Sequence, residues 1–463
     1  MTAAAALYTL RRGAPTFKRN FFSEKGCIRV AGGLSLGVTF YLDLHLFNTV
    51  HSPSRRDAVP TMQTTQFPHL TPGRTLFEQA AAVFDGYTDP ETGTDVLRLY
   101  TRGADGPQWS TAYHQHRCFL DGGRKILLHT RGRNPSNDFK SCFLLDISTG
   151  EAESPFPDGA HVIEVMESSG LASIVHKDED GRHASIWDMR SGQTTVTVPA
   201  DGWIQNGFIF LCDDEQAILF QHRGQHYAEH VQSRHILFGP NQEPKIIMEA
   251  DGYFCSHVVG HPSDVQLYAY DRWPSPYREV EQAIHLRSLD GSFHEPLRMD
   301  ANTLRPGNTW GARDHYVWTP NGNHIVSYLA ASPIGLSNTE DFNHYLFDWW
   351  LSATDWRTGE DLSAEYPPGR WGGHMQMSND SRYILCAGGP GFDKLFAVDL
   401  QGLRDGWNEH IICSYPETIS TGKNHAPFPY PWMLPDGSGV VFSAGWPGPE
   451  HGIYLAKWPE ALR

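Results

Sequence analysis

The segment His315–Leu329, HYVWTPNGNHIVSYL, decides the fold. Two apolar stretches flank Thr319-Pro320-Asn321-Gly322, and an Asn-Gly pair between β-branched and aromatic runs is the strongest short-range signal for a hairpin turn. The same strand, turn, strand grammar returns at His374 in HMQMSNDSRYILCAGG and at Tyr430 in YPWMLPDGSGVVFSAG. Further copies begin at His116 (HRCFLDGGRKILLHT), at Glu164 (EVMESSGLASIVHKD), at Asn206 (NGFIFLCDDEQAILFQ) and at His257 (HVVGHPSDVQLYAYD). A third strand follows the hairpins, as in KSCFLLDIST, AIHLRSLDGS, DKLFAVDLQG or GIYLAKWP, and then a variable fourth. A recurrence at roughly 40–60 residues signals a repeat architecture.

A four-stranded antiparallel sheet covers its faces only against its neighbours, and a closed ring leaves no terminal repeat bare. The sequence therefore predicts an all-β chain, a seven-bladed β-propeller of four-stranded antiparallel blades over residues 94–463. Val96–Tyr100 (VLRLY) is placed to supply the missing outer strand of the last blade and close the ring. Residues 63–93 read as a lead-in, residues 332–348 as an insertion in the fifth blade, and residues 1–62 as an extension that is either a targeting segment or disordered.

Composition narrows the function. Among 463 residues, 37 basic against 53 acidic side chains give a net charge of −16, which argues against nucleic acid as a partner. Glycine (44), proline (31) and 12% aromatics suit turn-rich β structure rather than a helical bundle or a disordered chain. The seven cysteines form no C-x-x-C pair and read as free thiols of a reducing, cytoplasmic compartment. Residues 1–23 carry Arg11, Arg12, Lys18 and Arg19, so organelle targeting or secretion stays open. The apolar run from Ile28 to Val50 is broken by Asp43 and His45, a poor membrane span, and no membrane partner is expected. Gly33–Gly37 matches G-x-S-x-G without the strand–turn–helix context that gives this motif its meaning.

The innermost strand of each blade starts near the central channel, so equivalent starting positions converge. Counting ten residues back from the first apolar residue of each second strand gives His116, Glu164, Phe208, His257, His315, His374 and Tyr430. Four imidazoles, one carboxylate and one phenol should ring the axis, with His114, His161, His261 and His425 beside it. Loops between second and third strands should return to the same face. They would bring Arg131, Arg133, Arg223, Arg272 with Trp273 and Tyr277, and Lys394 over the ring. Guanidinium forks and flat rings suit a carboxylate-bearing sugar, and the expected partner is an acidic oligosaccharide.

On RCFLDGGRKILL (117–128), SHVVGHPSDVQLYAYDRWP (256–274), IHLRSLDGS (284–292) and DHYVWTPNGNHIVSY (314–328), the chain resembles the oligogalacturonate lyases. These are intracellular seven-bladed propeller enzymes that cleave uronic-acid oligosaccharides by β-elimination. The resemblance covers most of residues 94–463. It implies that His257 matches the residue that abstracts the proton and His315 a ligand of a divalent metal, usually manganese. The family's other ligands, a Gln and two His of the last blade, fall on His425, Phe428 and Tyr430. Related propeller lyases acting on ulvan or on rhamnosyl–glucuronate linkages, with His, Tyr and Arg chemistry, resemble the chain as well.

Elimination from a uronate needs the carboxylate charge quenched, a base for the C5 proton and an acid for the departing O4, and imidazole suits both proton roles. The expected assignment is His257 as base with His116 as the alternative, and Tyr430 or His374 as acid. His315, His374 and His425 would hold a metal (Mn, Ca or Zn). Arg223 or Arg272 would otherwise neutralise the carboxylate, with Glu164 and Trp273 as further substrate contacts. Two other classes stay open: a non-catalytic propeller that serves as a protein-binding platform, and a glycoside hydrolase using Glu164. Self-association as a homodimer is also left open.

Overall fold

The computed structural model describes residues 73–463 apart from 102–107, 132–138, 179–180, 213–214, 225–229, 275–282, 298–308, 333–347, 368–369, 371–373, 389–391, 416–429 and 445–451. Its strands form seven antiparallel sheets. Blades 2 to 6 each run outward from the axis in chain order, as in blade 4 (Tyr253–Gly260, Leu267–Pro274, Ala283–Ser288, His294–Pro296). The last blade combines Trp432–Met433, Gly439–Ala444 and Gly452–Lys457 with Asp95–Thr101 from the other end of the described chain. Val96 pairs with Ala456 and Leu97 with Leu455, and Gly86–Thr88 adds a fifth strand outside them. Among the described residues no helix is long and apolar enough to cross a membrane.

Seven clusters of buried apolar side chains account for the ring, one at each junction between neighbouring blades. The junction of blades 5 and 6, for example, sets Val326, Leu351 and Ala353 against Ile384, Phe396 and Val398. Strand alternation makes this arrangement, since each blade shows one row of side chains to each neighbour. The hairpin that decided the fold turns at Asn321-Gly322, where Gly322 has φ +69°. A Cβ at Gly322 would collide with the His261 ring, whose Nε2 is hydrogen-bonded to the Gly322 carbonyl at 3.0 Å.

A six-residue helix, Leu76–Ala81, locks the closing blade. Thr75 and Glu78 form a reciprocal capping box at its start. The Leu76 N–H donates to Asp436 and the Phe77 N–H to Ser438, both in the hairpin turn of blade 7. Leu76, Phe77 and Ala80 are buried in the junction between blades 7 and 1. The six described cysteines are free and mostly buried, and burial pushes the thiols of Cys142 and Cys255 up to about 12.

Candidate active site on the propeller axis

Two innermost strands break their own ladders at the same place. In blade 4 the pairing skips from Ser256 to Val259, and in blade 5 from Asp314 to Val317. His257 and His315 sit in these bulges with φ of +48° and +47°. A left-handed backbone costs a non-glycine residue about 1–2 kcal/mol, and bulges re-aim side chains beside active sites. Here the bulges are tied together: the Tyr316 hydroxyl donates to the His257 carbonyl.

Blade 1 departs further. Thr111 pairs with Leu128 and Phe119 with Ile126, and the Cys118 carbonyl still accepts the Leu127 N–H at 2.8 Å, so Ala112–Arg117 leave the ladder. This excursion carries Tyr113, His114, Gln115 and His116 and is fastened to three blades. The Trp432 indole donates to the Ala112 carbonyl at 3.1 Å, Gln115 to the Tyr316 carbonyl at 2.8 Å, and Gln376 to the His114 carbonyl.

Tyr113 is the hub. Its ring centroid lies 5.5 Å from His116, 6.0 Å from His257, 6.3 Å from His315, 5.5 Å from His374 and 5.3 Å from Tyr430. The outer members also touch in sequence, with His257 to His315 at 5.4 Å, His315 to His374 at 4.4 Å and His374 to Tyr430 at 4.9 Å. The structure thus brings together His116, His257, His315, His374 and Tyr430 from five blades. It also corrects one expectation: His114 stands inside this cluster, 5.0 Å from His374 and 5.6 Å from His315. Fully buried, it has no hydrogen-bond partner on either ring nitrogen among the described residues, and burial together with the neighbouring imidazoles holds it neutral.

Behind the ring stand residues that sequence reasoning missed. His257 Nδ1 lies 2.6 Å from Oδ2 of Asp271, a fully buried carboxylate on the second strand of the same blade. Its Nε2 lies 3.3 Å from the Tyr113 hydroxyl. His315 Nδ1 is hydrogen-bonded to the Tyr328 hydroxyl at 2.8 Å. A carboxylate on Nδ1 holds that nitrogen in its N–H form and leaves Nε2 as the acceptor. His116 is different in character, since burial, then His129 and His257, press its pKa down to about 3. A cavity of about 320 Å³ opens here, with Tyr113, His116 and His257 on one side and Phe208, Phe220 and Phe254 on the other.

Several expected contacts fall elsewhere. Glu164 is spent on the backbone: its carboxylate accepts the Arg117 N–H at 3.2 Å and the Phe210 N–H, tying blades 1, 2 and 3. Arg223 donates to the Asp201 carbonyl at 2.8 Å and lies 4.4 Å over the Trp203 ring, with no contact to the imidazoles. Arg272 lies over Tyr253 at 3.7 Å and faces a separate cleft. Trp273 is buried against Phe254 in the junction of blades 3 and 4. Lys394 pairs with Glu91 and Ser414. His161 packs on His129, and His261 packs on Trp318. Arg133, Tyr277, His425 and Phe428 lie outside the described residues, as does the side chain of Arg131. Among the described residues no three His, Cys, Asp or Glu side chains are arranged to hold a metal ion.

No family model and no curated protein matches the chain. Solved structures do. An oligogalacturonate lyase in complex with manganese aligns with a TM-score of 0.62 at 18% identity, covering 82% of this chain and 97% of that one. The oligogalacturonate lyase of Vibrio parahaemolyticus aligns with a TM-score of 0.62 at 17% identity, covering 82% and 98%. The fold is that of the oligogalacturonate lyases. Identity this low carries the lyase-like propeller across and no residue roles, so the chemistry of this chain has to be argued from its own axis.

Proposed function

We propose that this chain is a uronate lyase: it opens the glycosidic bond of an acidic oligosaccharide by β-elimination and leaves an unsaturated uronate end. The observation that carries this reading is the chain Asp271–His257–Tyr113, whose His257 and Tyr113 line the axial cavity. Asp271 orients the imidazole and stabilises the positive charge it gains, so that Nε2 takes the C5 proton. Between the two expected bases His257 is favoured, because it has the carboxylate on Nδ1 and its Nε2 turned to the Tyr113 hydroxyl, whereas burial makes His116 a weak base.

The electrons left at C5 close the double bond to C4, and O4 departs with a proton. Three groups within reach of one another can deliver it: Tyr113, Tyr430 and His374. Of these, Tyr113 is already beside the base. The apolar wall of Phe208, Phe220 and Phe254 suits the flat face of a sugar. Since Arg223 and Arg272 are engaged elsewhere, N–H and O–H donors of His315, His374 and Tyr430 are the groups placed to meet the uronate carboxylate.

The first of these lyases is a manganese complex, which raises a metal for this chain. His315 and His374 are adjacent, but Tyr430 and Phe428 occupy two of the positions that the resemblance gives to ligands. The described residues do not make up a ligand set, and no step here runs through a metal.

Incubation of the full chain with galacturonate oligomers and with glucuronate-containing oligosaccharides tests the reading. Growth of the unsaturated-uronate absorbance supports it, provided that the growth is lost in His257→Ala. Release of saturated reducing ends without that absorbance overturns it in favour of hydrolysis.

A further inference from the structure

The junction of blades 3 and 4 is apolar near the axis and polar outside it. Strand alternation puts Tyr268, Tyr270 and Arg272 on one face of Leu267–Pro274, and pairing sets His285 beside Tyr270, Arg287 beside Tyr268 and His294 beside Arg287. On this face blade 4 carries two guanidiniums, two imidazoles and two phenols. Of these, Tyr270, Arg272, Arg287 and His294 face residues 246–251 of the outer strand of blade 3 across a cleft of about 560 Å³.

The two arginines of this cleft are not paired with the two carboxylates on its rim. Arg287 donates to the Ile247 carbonyl at 3.0 Å, and its Nε is buried with no hydrogen-bond partner among the described residues. The Arg272 guanidinium lies flat over Tyr253. Among the described residues neither arginine pairs with a carboxylate. Glu249 and Asp251 stand on the far rim, and Glu249 is set opposite Arg234 in its own sheet. His285 Nδ1 is likewise buried without a partner among the described residues, while His294 Nε2 is bonded to the Tyr270 hydroxyl at 2.7 Å. Both imidazoles lose basicity through burial and the nearby arginines.

We infer that this cleft is a second binding site, distinct from the axis, for a ligand bearing an oxyanion, with Arg272 and Arg287 as its charged grip, His294 as an additional donor and His285 packed behind it. The volume suits a ligand of about disaccharide size, within the range of ordinary small-molecule sites. A sugar carboxylate, a phosphate and a sulfate share the chemistry the cleft offers, which is planar forked donors in a site partly screened from water. The site stands or falls independently of lyase activity.

The test titrates the full chain with digalacturonate, inorganic phosphate and inorganic sulfate by calorimetry, while the imidazole signals of His285 and His294 are followed by NMR. Binding of at least one probe that moves those signals is expected, and the probe that binds identifies the source of the oxyanion. Losing one charge-assisted contact should weaken binding about tenfold or more in Arg272→Gln and in Arg287→Gln. Arg287 also holds the outer strand of blade 3, so Arg272→Gln, which removes only a ring contact, decides the matter if Arg287→Gln fails to fold. His257→Ala should leave this binding unchanged. The inference is overturned if none of the three probes shifts His285 or His294, or if Arg272→Gln binds as tightly as the parent protein. Loss of binding in His257→Ala would also overturn it, by placing the ligand on the axis.

Discussion

His257 Nδ1 lies 2.6 Å from Asp271 Oδ2, while Nε2 of the same ring lies 3.3 Å from the Tyr113 hydroxyl. One contact assigns the N–H and the other marks where the free nitrogen points. The Asp271→Asn substitution keeps the shape of the side chain and removes its charge. An amide can donate to Nδ1 and push the ring proton onto Nε2, the position that has to accept. Turnover should fall by about 10²–10⁴-fold with the KM little changed, the scale of losing a correctly oriented base. Steady-state assays of the unsaturated product check this beside a melting curve of each protein. Unaltered turnover in a folded Asp271→Asn protein would remove His257 from the role of base.

Tyr113 and Tyr430 compete for the acid role. Phenylalanine in place of either keeps the packed ring and removes one hydroxyl. If Tyr113 delivers the proton, Tyr113→Phe should lower turnover by about 10²-fold or more, while Tyr430→Phe, which loses a donor to the carboxylate, should mainly raise the KM. Kinetics of the two variants side by side separate the roles. The reverse pattern would hand the acid role to Tyr430.

The sequence count found His116, His257, His315, His374 and Tyr430, because a tight turn joins two inner strands of similar length in each blade, and it missed the residues that an excursion from the ladder brings to the axis. In blade 1, Ala112–Arg117 leave the pairing, so Tyr113 and His114 reach the centre from positions that a regular strand would point elsewhere. The Y-H-Q-H run at 113–116 was the available signal, and a count assuming unbroken pairing could not use it. Arg272 and Trp273 were expected in a loop above the ring, but the strand continues through Pro274. Alternation then sends the missed Asp271 toward His257 and Arg272 to the opposite face. Nothing local in YAYDRWP distinguishes these fates; the bulge at His257, in another strand, decides them.

Glu164 lines up with the ring in sequence and serves the scaffold in structure. Its two oxygens accept backbone N–H groups from blades 1 and 3, one of them in the core. Glu164→Gln keeps one good acceptor and loses the charge-assisted pairing, so stability should drop by about 1–3 kcal/mol. Turnover per folded molecule should stay close to that of the parent protein. Urea unfolding with activity normalised to folded fraction measures both. A folded, inactive Glu164→Gln protein would instead revive a carboxylate mechanism.

Acid should unfold this protein through its histidines earlier than through its carboxylates. His116, His235 and His285 are pressed down from 6.5 to about 3, in each case with burial as the leading cause. Below the unfolded value the denatured chain binds protons that the native chain refuses. The stability these neutral rings contribute is therefore whole above about pH 6.5 and is lost as the pH falls toward 3. The slope is about 1.4 kcal/mol per pH unit for each such ring, so three together should make the urea midpoint fall steeply between about pH 6.5 and pH 5. His235 offers the clearest single check, because it is buried between the Tyr268 hydroxyl and the Cys255 carbonyl, away from the axis. His235→Gln should lower stability at neutral pH and reduce the acid slope by about 1.4 kcal/mol per pH unit, the share of one ring. A midpoint that stays level over this range would show that these imidazoles are protonated in the native protein, and the buried networks around them would then have to hold charge.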